Sequence, residues 1–116
     1  METIITPKIL TEMILNASPE KRIHIVGRAL VGLFQRQTED ERANNSVAHD
    51  NGRGFMSCDS IGGSLTAKSY IKRRTLQDWQ VEKWTRLGSN GLPRLAKYAR
   101  QLNEISNEKK LARSAA

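Results

Sequence analysis

Between Pro19 and about Gln37, Ile23, Val26, Leu30, Leu33 and Phe34 recur at spacings of three and four. That period is the mark of an α-helix with one face turned to a core. Ile25 and Ala29 widen the stripe to nearly half the circumference, so this run is expected to be the central helix. The wide apolar arc also leaves room for a homodimer. Ser18 ahead of Pro19 supplies the start signal, and Thr6-Pro7 repeats it for a shorter first helix ending near Asn16. No stretch alternates apolar and polar residues for long enough to require a sheet.

From about Glu39 to Gly63 the helical period stops. Asn44, Asn45, Ser46, Asp50, Asn51, Gly52, Gly54, Ser57, Asp59, Ser60, Gly62 and Gly63 supply turn chemistry throughout. A loop of that length is either disordered or held for a purpose. Phe55, Met56 and Ile61 lie within it, and an ordered loop pinned by Phe55 is the expectation. A third helix is predicted from Ser64 to Lys72, with Leu65, Tyr70 and Ile71 as its apolar points. A fourth starts near Thr75, with Asp78 completing a weak capping box, and ends at Gly88. A fifth follows Pro93, burying Leu95, Tyr98, Ala99, Leu102 and Ile105, and residues 107–116 are expected to fray. The reading is an all-α single domain of five helices over residues 1–106, with one long ordered loop between helices two and three.

Charge divides this chain into two halves. Of 116 residues, 19 are Lys or Arg and 12 are Asp or Glu, a formal net charge of +7. Residues 1–50 sum to −1 and residues 51–116 to +8. A field concentrated in this way attracts polyanions. The expected contact set is Lys68, Lys72, Arg73, Arg74, Lys83, Arg86, Arg94, Lys97 and Arg100, with Tyr70 or Trp84 stacking on bases, single strand favoured over duplex. Trp79 and Trp84 lie about 140° apart on one helix, so one stripe does not bury both. Helices three and four also have helix-turn-helix proportions, which would bring Gln77, Gln80 and Lys83 to a major groove. Gly62-Gly63-Ser64 at a helix start, with Lys68 one turn in, offers a phosphate cradle or a plain N-cap.

Material for catalysis is thin. His24, the pair His49-Asp50, Asp59 and the single Cys58 form no ligand spacing or nucleophile arrangement known for enzymes, so a non-catalytic chain without cofactor or metal is expected. One cysteine permits no internal disulfide and suits a reducing compartment. With no apolar run of spanning length and no basic-then-apolar leader, the expected location is cytoplasmic, away from membranes.

The block Asn51-Gly52-Arg53-Gly54-Phe55, continuing through Asp59, Ser64-Leu65-Thr66-Ala67-Lys68, Trp79-Gln80-Val81-Glu82-Lys83-Trp84 and Lys97-Tyr98-Ala99-Arg100-Gln101-Leu102-Asn103-Glu104, resembles a pattern in small proteins of phages and mobile elements. Similar blocks accompany phage helicase-like and replication proteins. The resemblance covers residues 51–105 and implies a nucleic-acid-processing or host-takeover setting, in the cytoplasm of the host cell. It also implies a loop site of Gly52, Arg53, Gly54, Phe55, Asp59 and Ser64, docked on the basic helices. Two functions follow as expectations. One is a nucleic-acid-binding accessory protein. The other is an anti-CRISPR-like inhibitor whose partner is an acidic host protein or ribonucleoprotein surface.

Overall fold

The computed structural model of the chain describes residues 5–44 and 54–115. Five α-helices make up almost all of it: α1 (Pro7–Asn16), α2 (Pro19–Asn44), α3 (Ser60–Arg73), α4 (Asp78–Thr85) and α5 (Ala99–Ala115). Short 3₁₀ turns at Ser57–Asp59 and Arg94–Tyr98 lead into α3 and α5. Among the described residues the only β pairing is an isolated bridge between Leu87 and Pro93. The all-α class with five helices is therefore what the chain adopts. No helix among the described residues is long and apolar enough to cross a membrane.

The start signals act as their chemistry requires. Thr6 Oγ1 accepts from the Ile9 N–H at 3.1 Å, and Ser18 Oγ from the Lys21 N–H at 3.2 Å, satisfying donors that have no partner within the helix. Val26, Leu30 and Leu33 of α2 are completely buried and form the spine of the core with Leu10, Ile14, Trp84, Leu95 and Tyr98. Each such side chain contributes roughly 1.5–3 kcal/mol of transfer free energy.

Helix α3 differs from the expectation in length and in face. It begins at Ser60, so Gly62 and Gly63 fall in its first turn and Ser64 just after it. Its buried face is Gly63, Thr66, Ala67 and Tyr70, while Leu65 is 63% exposed and Ile71 46%. Small residues win that face because the helices approach closely. A Cβ on Gly27 of α2 would lie 2.3 Å from the Tyr70 ring, and one on Gly63 would lie 2.5 Å from Phe55. Helix α2 runs on to Asn44, well past the expected end. Helix α5 continues to Ala115 where fraying from Asn107 is expected. Glu, Lys, Leu, Ala and Arg in that segment are all good helix formers. Helix α4 starts at Asp78, and its first turn is closed by the Gln80 side chain accepting from the Gln77 N–H at 2.8 Å, in place of a Thr75–Asp78 box.

Two side-chain amides of α5 clasp distant backbone. Gln101 accepts from the Gly54 N–H at 2.7 Å and donates to the Gly54 carbonyl at 2.9 Å. Asn103 accepts from the Ile5 N–H at 2.6 Å and returns a bond to the Ile5 carbonyl. Gly54 has φ +82°, and a Cβ there would meet Gln37 Cβ at 2.6 Å, so both conformation and space call for glycine.

Candidate nucleic-acid interface

A groove of about 750 Å³ opens between α4, the turn at residues 87–93 and the 3₁₀ segment before α5. Four cations line it, Lys83, Arg86, Arg94 and Lys97, against one carboxylate, Glu82. Trp79 stands in its wall, 60% exposed. Trp79 and Lys83 of α4 and Arg86, the residue that caps its C-terminus, follow at i, i+4 and i+7, on one side of the helix. The opposite face carries Gln80 and Trp84, which are buried together with Leu76 just ahead of the helix. The Trp79 indole N–H donates to Gln77 Oε1 at 2.6 Å, which orients the ring. On the far side the chain reverses tightly. The Gly88 N–H donates to the Leu92 carbonyl at 2.9 Å, and Gly91 takes φ +76°.

Beneath the groove lies the carboxylate of Asp59, whose side chain is fully buried. Arg94 holds Oδ1 through Nε at 2.7 Å and Nη2 at 2.5 Å. Lys97 Nζ and the Tyr98 hydroxyl reach Oδ2 at 2.6 and 2.5 Å. The same hydroxyl accepts from the Met56 N–H at 3.1 Å. Burial pushes the Asp59 carboxyl up, but hydrogen bonds from Lys97, Tyr98 and Arg94 and the Lys97 charge outweigh it and hold the group below its ordinary value. Burial and the Asp59 bond drive the Tyr98 phenol well above its own ordinary value. Asp59 therefore stays a carboxylate, and Tyr98 its neutral donor, at any ordinary pH.

Phe55 sits beside this hub, buried, with its ring 6.2 Å from Trp84 and 6.1 Å from Tyr98. Lys83 Nζ and the Arg94 guanidinium lie 5.6 and 5.8 Å from the Trp84 indole ring. It is completely enclosed. The stacking roles expected for Trp84 and Tyr70 are thus corrected. Trp84 is core, and Tyr70 is buried against Gly27 with its hydroxyl 2.7 Å from His24 Nδ1. The exposed ring is Trp79. The i, i+4, i+7 spacing with Lys83 and Arg86 was the signal for it.

The expected contact residues fall into two groups. Lys83, Arg86, Arg94 and Lys97 share the groove. Lys72, Arg73 and Arg74 are exposed at the end of α3 and do not line it, while Lys68 lies over the Phe34 ring at 5.6 Å. Arg100 pairs with Glu104 at 3.6 Å on the outer side of α5. Of the loop site, Gly54, Phe55 and Asp59 converge on the hub. Ser64 stays apart inside α3, and Gly52 and Arg53 lie outside the described residues. So do Asn51 and the pair His49-Asp50. The helix start expected at Ser64 lies instead at Ser60, with Asp59 in the N-cap position, so Ser64 is not the cap of Gly62-Gly63. Of the residues expected to meet a major groove, Gln80 is buried in capping, Gln77 holds the Trp79 indole and Lys83 lines the groove. Among the described residues no group of three His, Cys, Asp or Glu side chains is placed to hold a metal ion.

Comparison with protein families, with curated proteins and with solved structures found no match for this chain.

Proposed function

We propose that the chain is a nucleic-acid-binding accessory protein that takes a single strand in the groove between α4 and the 87–93 turn, and acts by binding alone. One observation carries this reading: Trp79 is exposed in a groove lined by four cations and one carboxylate. An aromatic plane among cations suits unpaired bases, since every base offers a face to stack on and its phosphates meet the charge. At eight residues α4 is short for a helix laid along a major groove, and its exposed face carries Trp79 and Lys83, which suit an unpaired base and its phosphate. The likeness of residues 51–105 to a phage and mobile-element block fits such a role.

Fluorescence anisotropy with labelled single strands and duplexes at two salt concentrations tests it. The expected result is preferential single-strand binding that weakens steeply with salt. Trp79→Ala should cost about 1–3 kcal/mol, the usual worth of one stacked base. Absence of binding at low salt to DNA and RNA alike would refute the reading.

A second reading rests on α3. Ile61 is 78% exposed and Leu65 63%, on the same stripe as Lys68 and Lys72. An apolar pair beside two cations suits an acidic protein surface, as a host-defence inhibitor would require. Capture of a partner that survives nuclease treatment and is lost in Leu65→Asp, with Trp79→Ala unaffected, would favour it.

A further inference from the structure

The two cations nearest the hub differ from every other Lys and Arg of the groove. Both are anchored on one side to a carboxylate that water does not reach, while their outer sides remain about a third or more exposed: 40% for the Arg94 side chain and 34% for Lys97. Arg94 spends Nε and Nη2 on Asp59, and among the described residues its Nη1 makes no hydrogen bond within the protein. Lys97 spends one of its three protons on Asp59 Oδ2 and a second on a weak bond to Cys58 Sγ at 3.9 Å, leaving one for a ligand. Two donors are thus held in fixed positions with free N–H groups facing the groove. Two positive charges and one buried negative charge leave a surplus of one. That surplus matches a phosphodiester, which carries one negative charge, better than a terminal phosphate, which carries nearly two.

We infer that Arg94 and Lys97, braced from beneath by Asp59, form a subsite for a single backbone phosphodiester of the strand whose base stacks on Trp79. This rests on the proposed single-strand binding. Asp59 is a positioning residue in it: it touches no ligand and acts by fixing the two donors. Without the brace both side chains are long and mobile, and ordering them falls to the ligand. The segment from Gly54 to Asp59 thereby becomes part of the binding site. Gln101 clasps its start and Asp59 ties its end to the cations.

Asp59→Asn gives the test its sign. The substitution adds one unit of positive charge, so attraction through charge alone predicts tighter binding. The brace predicts about tenfold weaker binding of a ten-nucleotide labelled oligothymidylate, the scale of a lost charge-assisted contact. It also predicts a log Kd against log salt slope shallower by about 0.7, one single-strand phosphate. Quenching of tryptophan fluorescence by the bound strand should persist, since Trp79 still stacks. Should Asp59→Asn fail to fold, Tyr98→Phe decides the matter: it alters no charge, yet removes a donor to Asp59, and is expected to weaken binding about threefold. Unchanged or tighter binding by Asp59→Asn with the original slope, or by Tyr98→Phe where the first is unfolded, overturns the inference. If the unaltered protein binds no oligonucleotide, the functional reading itself falls. If it binds, and Trp79→Ala weakens it while Asp59→Asn does not, only the phosphodiester subsite falls.

Discussion

Gly27→Ala is a small change that should act against its own local preference. In a helix interior alanine is favoured over glycine by about 1 kcal/mol, so α2 taken alone would gain. Gly27, however, faces Tyr70 of α3. The added Cβ would stand 2.3, 2.4 and 2.6 Å from three carbons of that ring, roughly 1 Å inside the contact distance of about 3.5 Å for two carbons. The ring has little room to yield, being buried and tied through its hydroxyl to His24. Overpacking of this kind costs typically 1–3 kcal/mol, and the depth of the clash puts it near the upper end. Subtracting the helix gain leaves a net loss of about 2 kcal/mol, or a fall in Tm on the order of 10 °C. Gly62→Ala supplies the control. There the nearest atom is Lys83 Nζ at 2.6 Å, the free end of a flexible side chain that moves aside at little cost. The helix gain should survive, giving about 0.5–1 kcal/mol of stabilisation. Urea unfolding of both variants, read by far-UV circular dichroism, measures the pair. Equal stabilisation by the two alanines would refute the close α2–α3 crossing.

Other substitutions probe the hub and the turns. Phe55→Ala empties the space between Trp84 and Tyr98 and should cost about 3–5 kcal/mol in calorimetry, unless the site collapses. Arg74 closes α3 in the left-handed region with φ +59°, a conformation that glycine adopts freely. Arg74→Gly is therefore expected to raise stability by about 1 kcal/mol in thermal unfolding. Acid should act through Asp59. Its folded pKa lies below the unfolded value of 3.8, so its contribution is present above that value and is lost as pH falls through the folded pKa. Acid titration of stability should show Asp59→Asn less sensitive than the unaltered chain below about pH 4. Tyr98 works at the other end: its folded pKa is raised above the unfolded 10.0, so stability should decline as pH climbs past about 10, and Tyr98→Phe should remove that part of the decline.

The five helices were legible because their signals are local. Thr6-Pro7 and Ser18-Pro19 cap where they stand, and the Val26-Leu30-Leu33 stripe points inward as its period demands. Helix α3 shows where that logic stops. A search for large apolar residues selects Leu65, Tyr70 and Ile71, of which only Tyr70 is buried, and the rest of the packed face is built from Gly63, Thr66 and Ala67. Close approach between helices favours small side chains, and a hydrophobicity pattern is blind to it. The site was half legible for a similar reason. Charge in the second half pointed to Lys83, Arg86, Arg94 and Lys97, but their separation from Lys72, Arg73, Arg74 and Arg100 is set by how α3, α4 and α5 pack. Trp84 is packed by Phe55 arriving from the loop, a contact far away in sequence.

The two amide clasps of α5 also bear on how the molecule comes into being. Gln101 reaches back 47 residues and Asn103 back 98. Such long loops are slow to close, which works against the speed usual for helical domains. A ribosome delivers the chain from its N-terminus, so the backbone groups of Ile5 and Gly54 emerge well before the side chains that bond them. Arg94 and Lys97 likewise appear long after Asp59, leaving its carboxylate without its counterions in the interval. Helices α1 to α3 are thus made early but locked late, and the groove acquires its shape only when the 3₁₀ segment before the last helix has been synthesised.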